Sequence, residues 1–439
     1  MTKSTTSPRR LLVWLGVIGA ASTGAVVSTS TATGAGTEQI SRISVSSTGG
    51  QRDVNAGYPS ISADGRFVAF CSGRSSFENG KMLVDIFLRD RLAGTTELVS
   101  VSRTGTRSNQ PSCEGAPAVS EDGRYVAFAS LASNLIKHDT NGATDVFVRD
   151  RLEGRTRRVS KNSNGHQSNG ASLRPAISAN GRVVAFDSLA SNLVRDDTKS
   201  STDVFIHNLS TGMTRLVSKR SNESHGGVSF SFGAAISAKG RYVAFTSSSP
   251  LVRGDTNRRI DVYVRDRKLG TTRRVSITND EQQSRRGNSG HSLAISPHGR
   301  YVAFNSNAND LVPGETNKTS DVFLRDRIAG TTERISATTA GEQADGYSHT
   351  PAISRGGRYV AFASWDPILS IQQILVRDRR TGTTRMLTAN NSQEIGNNYS
   401  DAPTISSDGL TVAFQSEATN LVTDDTNNHP DVFVHETIP

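Results

Sequence analysis

A repeat decides what this 439-residue chain can fold into. The pattern P-x-I/V-S-x-x-G-R-x-V-A-F-x-S, a variable loop, D-V-F-V/L-R-D-R and x-x-G-T-T-x-R-V/I-S recurs along it seven times. The turn glycines Gly65, Gly123, Gly181, Gly240, Gly299, Gly357 and Gly409 lie 58, 58, 59, 59, 58 and 52 residues apart. Such a period means one supersecondary unit stacked on its copies, because a single copy cannot bury its own apolar face.

Each unit reads as four strands. In the second unit the first is Pro117 to Ser120, and Asp122-Gly123 supplies a tight turn. Arg124 to Ser130 carries the dense Val, Ala and Phe of a strand buried on both faces, Asp145 to Arg149 is the third, and Thr156 to Ser160 is the fourth. Four short antiparallel strands per unit are the signature of a propeller blade. The chain ends distinguish a closed ring from an open solenoid. The last unit stops after its third strand, Asp431 to His435, while Thr37 to Ser44 looks like a lone fourth strand. A solenoid needs caps; a ring needs this permuted strand. The expectation is an all-β, seven-bladed β-propeller over residues 37–439, closed by the N-terminal strand.

Residues 1–36 read as a secretory signal peptide. Lys3, Arg9 and Arg10 form a positive start, Leu11 to Ala21 an apolar run, and cleavage sites follow Ala32 or Ala35. Ser22, Thr23 and Gly24 interrupt the run before it can span a bilayer. The mature protein is therefore expected outside the cell, with no membrane span. In an oxidising compartment Cys71, at the end of a second strand, and Cys113, before the next first strand, are expected to form a disulfide. With 34% hydrophobic and 21% charged residues, the chain is neither a disordered polymer nor a multi-span membrane protein. Its formal charge of +9 falls to +6 without Lys3, Arg9 and Arg10, and no basic block interleaved with aromatics accompanies it. Nucleic acid is not an expected partner, and a monomer is expected.

The P-x-x-S-x-D-G-R-x-V-A-F core resembles the TolB-type, WD40-like propeller repeats over roughly residues 37–439. The resemblance implies the propeller fold. It brings three kinds of relative: a periplasmic translocation component with protein partners, propellers attached to peptidases, and pectin-fragment lyases. The chain departs from that family by placing Ile61, Val119 and Ile177 where Trp is frequent, and by its longer units.

Strand order puts the long second-to-third and fourth-to-first loops on one face of the disc, where binding is expected. Two sets of residues stand out there. The first keeps a six-residue spacing of acids: Asp139-Thr-Asn141 with Asp145, Asp197-Thr198 with Asp203, Asp255-Thr-Asn257 with Asp261, Glu315-Thr-Asn317 with Asp321, and Asp425-Thr-Asn427 with Asp431. This is half of a calcium loop, or else an Asx-turn followed by an Asp that pins the third strand. Blades one and six lack it. The second set stands just before the inner strands, at the channel mouth. His291, His349 and Asp401 fall in three consecutive blades, with Tyr347 and Tyr399 two positions upstream of the latter pair. Imidazole and carboxylate suit a divalent metal or proton transfer, and aromatic faces suit a sugar or peptide. The Arg-Asp-Arg sets, such as Arg149 to Arg151, are expected to form ion pairs between blades. There is no nucleophile elbow or Gly-rich phosphate loop. The expected function is a secreted, non-catalytic propeller that binds a protein or cell-wall glycan and needs no cofactor, calcium being the one candidate ion. The alternative is a metal-assisted polysaccharide lyase.

Overall fold

The computed structural model describes residues 38–78, 81–195, 201–224 and 230–437. The expected signal peptide, Thr37 and the Asp197-Thr198 pair lie outside the described residues. Seven four-stranded antiparallel sheets account for all of the described strands. They form a seven-bladed propeller, six blades being built from consecutive chain. In the seventh, Ser400–Ile405, Thr411–Ser416 and Asp431–Thr437 are completed by Glu38–Arg42, with Ile40 opposite His435 and Arg42 opposite Phe433. The first blade is thereby tied to the last.

The V-A-F run makes the core of every blade. Phe70, Phe128, Phe186, Phe245, Phe304, Phe362 and Phe414 are all fully buried. In six blades this ring lies over an aromatic of the third strand, as Phe128 does over Phe147 with centroids 5.9 Å apart. Each buried ring contributes about 2–3 kcal/mol relative to exposure. The Asp that opens the third strand is buried as well. Asp145 accepts the hydroxyls of Ser160, from the end of the outer strand, and of Ser168, while the Val146 N–H donates to Ser160 Oγ at 3.1 Å. Blade six replaces this Asp with Gln373, which accepts the Thr388 hydroxyl.

On the short-turn face the Arg-Asp-Arg sets form the expected ion pairs between blades through their arginines: Arg91 with Glu436, Arg151 with Glu97, Arg265 with Glu223, Arg325 with Glu281 and Arg379 with Glu333. The Asp pairs inside its own blade: Asp150 with Arg124 at 2.7 Å, Asp326 with Arg300 at 2.6 Å. The Arg66 guanidinium, opposed by burial and helped by the turn N–H of Ala93, holds the Asp90 carboxyl down at about 2. It is the arginines that cross between blades. Arg149 Nη1 donates to the Ser102 carbonyl at 3.2 Å, and Arg151, Arg327 and Arg379 lie over Phe67, Tyr242 and Tyr301 of the preceding blade. The turn glycine packs on the same ring. A Cβ on Gly123, whose φ is +68°, would sit 2.2 Å from Phe67 Cδ2. Ile61, Val119, Ile177, Ile236, Ile295, Ile353 and Ile405, one per blade, line a cavity of about 440 Å³ at this end of the channel. Aliphatic side chains thus stand where the resembled family often has Trp.

Cys71 and Cys113 form a disulfide with Cα atoms 5.9 Å apart. It joins the second strand of blade one to the loop entering blade two. Among the described residues no helix is long and apolar enough to cross a membrane.

Candidate functional site

The inner strands do not run straight into the channel mouth. In six blades their register slips by a bulge, between Gly57 and Ser60, Leu173 and Ala176, Phe232 and Ala235, Ser289 and Leu293, His349 and Ala352, and Asp401 and Thr404. The bulge turns one residue left-handed: Tyr58 at φ 53°, Arg174 at 47°, Thr350 at 47° and Ala402 at 53°. Side chains with a Cβ, and β-branched Thr above all, resist this conformation, so the surroundings must hold it. Neighbouring blades do so. The Tyr58 N–H donates to Gln415 Oε1 of blade seven at 2.9 Å, and the Thr350 N–H to Ser292 Oγ of blade five at 2.9 Å. The Gly233 N–H donates to Asp187 Oδ1 at 3.1 Å. Burial raises that Asp187 carboxyl to about 6, against the pull of Arg174 at 2.8 Å.

Blades six and seven turn this rim into a site. Gln372, buried at the start of the third strand of blade six, donates from Nε2 to the Ser400 carbonyl at 2.9 Å. Its Oε1 therefore faces His349 Nε2, 2.9 Å away, and fixes the His349 proton on that nitrogen. The other ring nitrogen, Nδ1, lies 3.7 Å from Asp401 Oδ1. That oxygen accepts from Thr350 Oγ1 at 3.0 Å and from the Ala402 N–H at 2.6 Å. An aromatic ladder stands beside the pair. His349 stacks on Tyr347 (5.7 Å), Tyr347 on Trp365 (5.8 Å), and Trp365 meets Tyr399 at a tilt (5.9 Å). Tyr347 and Tyr399 remain 38% and 43% exposed. Burial, with Tyr399 and Asp401 adding to it, raises the Tyr347 phenol above its ordinary value and keeps it neutral. Next to the ladder is a cavity of about 520 Å³, reaching from Gln372, Tyr399 and Asp401 across Gln415 and Glu417 to Tyr58 and the disulfide.

The rim residues expected from sequence are thus partly united. His349, Asp401, Tyr347 and Tyr399 come together; His291 is exposed on blade five without a hydrogen bond or ion pair to a described residue. Sequence reasoning missed Trp365, Gln372, Gln415 and Tyr58. The signal for the first two was present, since blade six breaks the repeat where they stand.

The acid-spaced loops hold arginine. Arg158 Nη1 lies 3.1 Å from Asp139 Oδ1 and 3.2 Å from Asp145 Oδ2. Arg274 lies 3.3 Å from Asp255 and 3.4 Å from Asp261; Arg42 lies 3.5 Å from Asp425 and 3.8 Å from Asp431. The Asx-turn is made by the Asn and not by the first Asp: Asn141 Oδ1 accepts the Ala143 N–H, Asn257 Oδ1 that of Arg259, and Asn427 Oδ1 that of His429. Burial, and then the neighbouring Asp145, raise the Asp139 carboxyl to about 6. Among the described residues no three His, Cys, Asp or Glu side chains converge as a metal ion requires.

These features define a closed seven-bladed propeller with an aromatic and acidic cavity at one channel mouth. No family model matches the chain, and no curated protein matches its sequence. Solved structures share the fold. The propeller domain of the trilobed protease from Pyrococcus furiosus is similar at 10% identity and a TM-score of 0.55, covering 88% of this chain and 95% of that one. An oligogalacturonate lyase from Vibrio parahaemolyticus is similar at 10% identity and a TM-score of 0.55, covering 90% and 93%. A TolB from Acinetobacter baumannii overlaps at 14% identity and a TM-score of 0.40, covering 85% and 81%.

Proposed function

We propose that this chain is an exported, non-catalytic propeller that binds a cell-wall glycan at the long-loop mouth between blades six, seven and one. The observation that carries this reading is the Tyr347–Trp365–Tyr399 ladder opening onto the 520 Å³ cavity beside Asp401, Gln372 and Gln415. A sugar ring offers an apolar face to an aromatic and hydroxyls to amides and carboxylates at its edge, and this rim presents both kinds of partner. The strained bulge residues support the same location, because strain of this kind clusters at ligand sites.

Titration of the mature protein with wall polysaccharide fragments tests the reading. Binding is expected, and Tyr399→Ala is expected to weaken it about tenfold through loss of the stacking ring. Failure of every fragment to bind, with the protein folded, overturns it. A second reading, metal-assisted cleavage of a polysaccharide by elimination, draws on the juxtaposition of His349 and Asp401. It requires an unsaturated product to appear only when a divalent cation is added.

A further inference from the structure

We propose, on the footing of that glycan reading, that the cavity takes a sugar polymer carrying free amino groups and disfavours one carrying uronate carboxylates. The charge of the lining carries this. Of the residues around the cavity only Asp401 and Glu417 are acidic, and neither Lys nor Arg is among them. Asp401 spends Oδ1 on Thr350 and Ala402, so Oδ2 is available to a ligand. Glu417 donates its backbone N–H to the Tyr399 carbonyl at 2.8 Å, which holds its backbone beside that ring's strand, and it lines the cavity. The acceptors of the neutral amides are already taken: Gln372 Oε1 by His349, Gln415 Oε1 by the Tyr58 N–H.

The acidic lining therefore faces a ligand without a cationic neighbour, and Tyr58 and Tyr399 stand 50% and 43% exposed in its wall. A hexosamine ammonium meets carboxylates and aromatic rings there, both of which attract a cation. A uronate would bring a third carboxylate against two others in a half-enclosed space, which suppresses binding. A lysine-rich peptide shares the charge but lacks the repeated rigid rings that a row of tyrosine and tryptophan suits.

Three oligosaccharides of equal length decide the matter by calorimetry: a glucosamine oligomer, its N-acetylated form and a galacturonate oligomer, alongside an oligolysine peptide. The amine form is expected to bind about tenfold tighter than the acetylated one, as a charge-assisted contact implies, with no galacturonate binding. In Asp401→Asn and Glu417→Gln the ratio between amine and acetylated forms is expected to fall towards one. If the two forms bind the wild type equally, or galacturonate binds best, the charge assignment is overturned while the glycan reading stands. If no oligosaccharide binds, both fall. If oligolysine binds as tightly as the amine form and Tyr399→Ala affects only the peptide, the occupant is a cationic peptide and the proposal is overturned.

Discussion

Closure of the ring depends on one short strand, and Arg42 is the side chain that fixes it. Its side chain is 3% exposed. Its Nη2 reaches Asp424 at 2.9 Å, and Nη1 lies 3.5 Å from Asp425 and 3.8 Å from Asp431. Arg42→Met keeps the length and apolar stem but leaves Asp425 and Asp431 buried without their cation. Removing one partner of a buried pair typically costs about 3–5 kcal/mol. The closest contact here is to exposed Asp424, so the expected loss is near the lower end, about 3 kcal/mol. The loss also has a pH dependence of known sign. Burial raises the Asp431 carboxyl, while Ser44 and Arg42 lower it. Without Arg42 it rises further. The folded state then binds a proton more tightly than the unfolded state, so stability falls as pH rises through the folded value. Urea unfolding at pH 5 and pH 8 is the assay, and the variant's deficit should be larger at pH 8. A deficit below about 1 kcal/mol at both pH values would show that backbone pairing alone secures the latch, and would refute the reasoning.

Two further outcomes follow from the repeat. Gly299→Ala should cost about 2–4 kcal/mol, combining left-handed strain with a Cβ placed against the Tyr242 ring, whereas Gly341→Ala should cost about 1 kcal/mol from strain alone. A Cβ at Gly299 would sit 2.2 Å from Tyr242 Cδ2, while at Gly341 nothing lies within 4 Å; equal losses in thermal unfolding would count against the ring-to-glycine contact between blades. Burial, and then Asp321, raise the Glu315 carboxyl to about 7. Glu315→Gln should therefore gain on the wild type by about 1.4 kcal/mol between pH 6 and pH 8, read from unfolding midpoints, and a flat difference would contradict the raised value.

The strands, their turns and the permuted closure were legible because burial imposes the same pattern seven times, and repetition separates that pattern from chance. The acid-spaced loops were harder to read. Their cation is an arginine thirteen residues past the second Asp, as Arg158 is past Asp145, and only pairing of the outer strand brings it back. A trace of this lay in the sequence nonetheless. Arginine occupies that outer-strand position in four of the five blades that carry the acid spacing (Arg158, Arg274, Arg334, Arg42), blade three having Leu216, while Leu98 and Met386 occupy it in blades one and six, which lack the spacing. The bulges left no trace. Tyr58, Arg174, Thr350 and Ala402 carry no sequence signature of a left-handed backbone.

Closure and recognition make opposite demands on such a ring. Seven equal blades close best, since each must present the same face to the next, but equal blades give the channel mouth no distinctive corner. The cavity lies where equality fails. Blade six carries its second strand on through Trp365 to Asp366, which accepts the N–H groups of Ile368 and Leu369 in a tight turn. The third strand then starts at Ile371, with Gln372 and Gln373 where other blades have the loop's last residue and its Asp. Those substitutions remove an ion pair from the blade and in return supply the ring and the amide that orient His349. Blade one, on the other side, lacks the acid-spaced loop, extends its central hairpin over Phe67–Glu78 and Lys81–Asp90, and carries the disulfide beside Tyr58. Regular positions therefore report on the fold, and the two irregular blades shape the cavity.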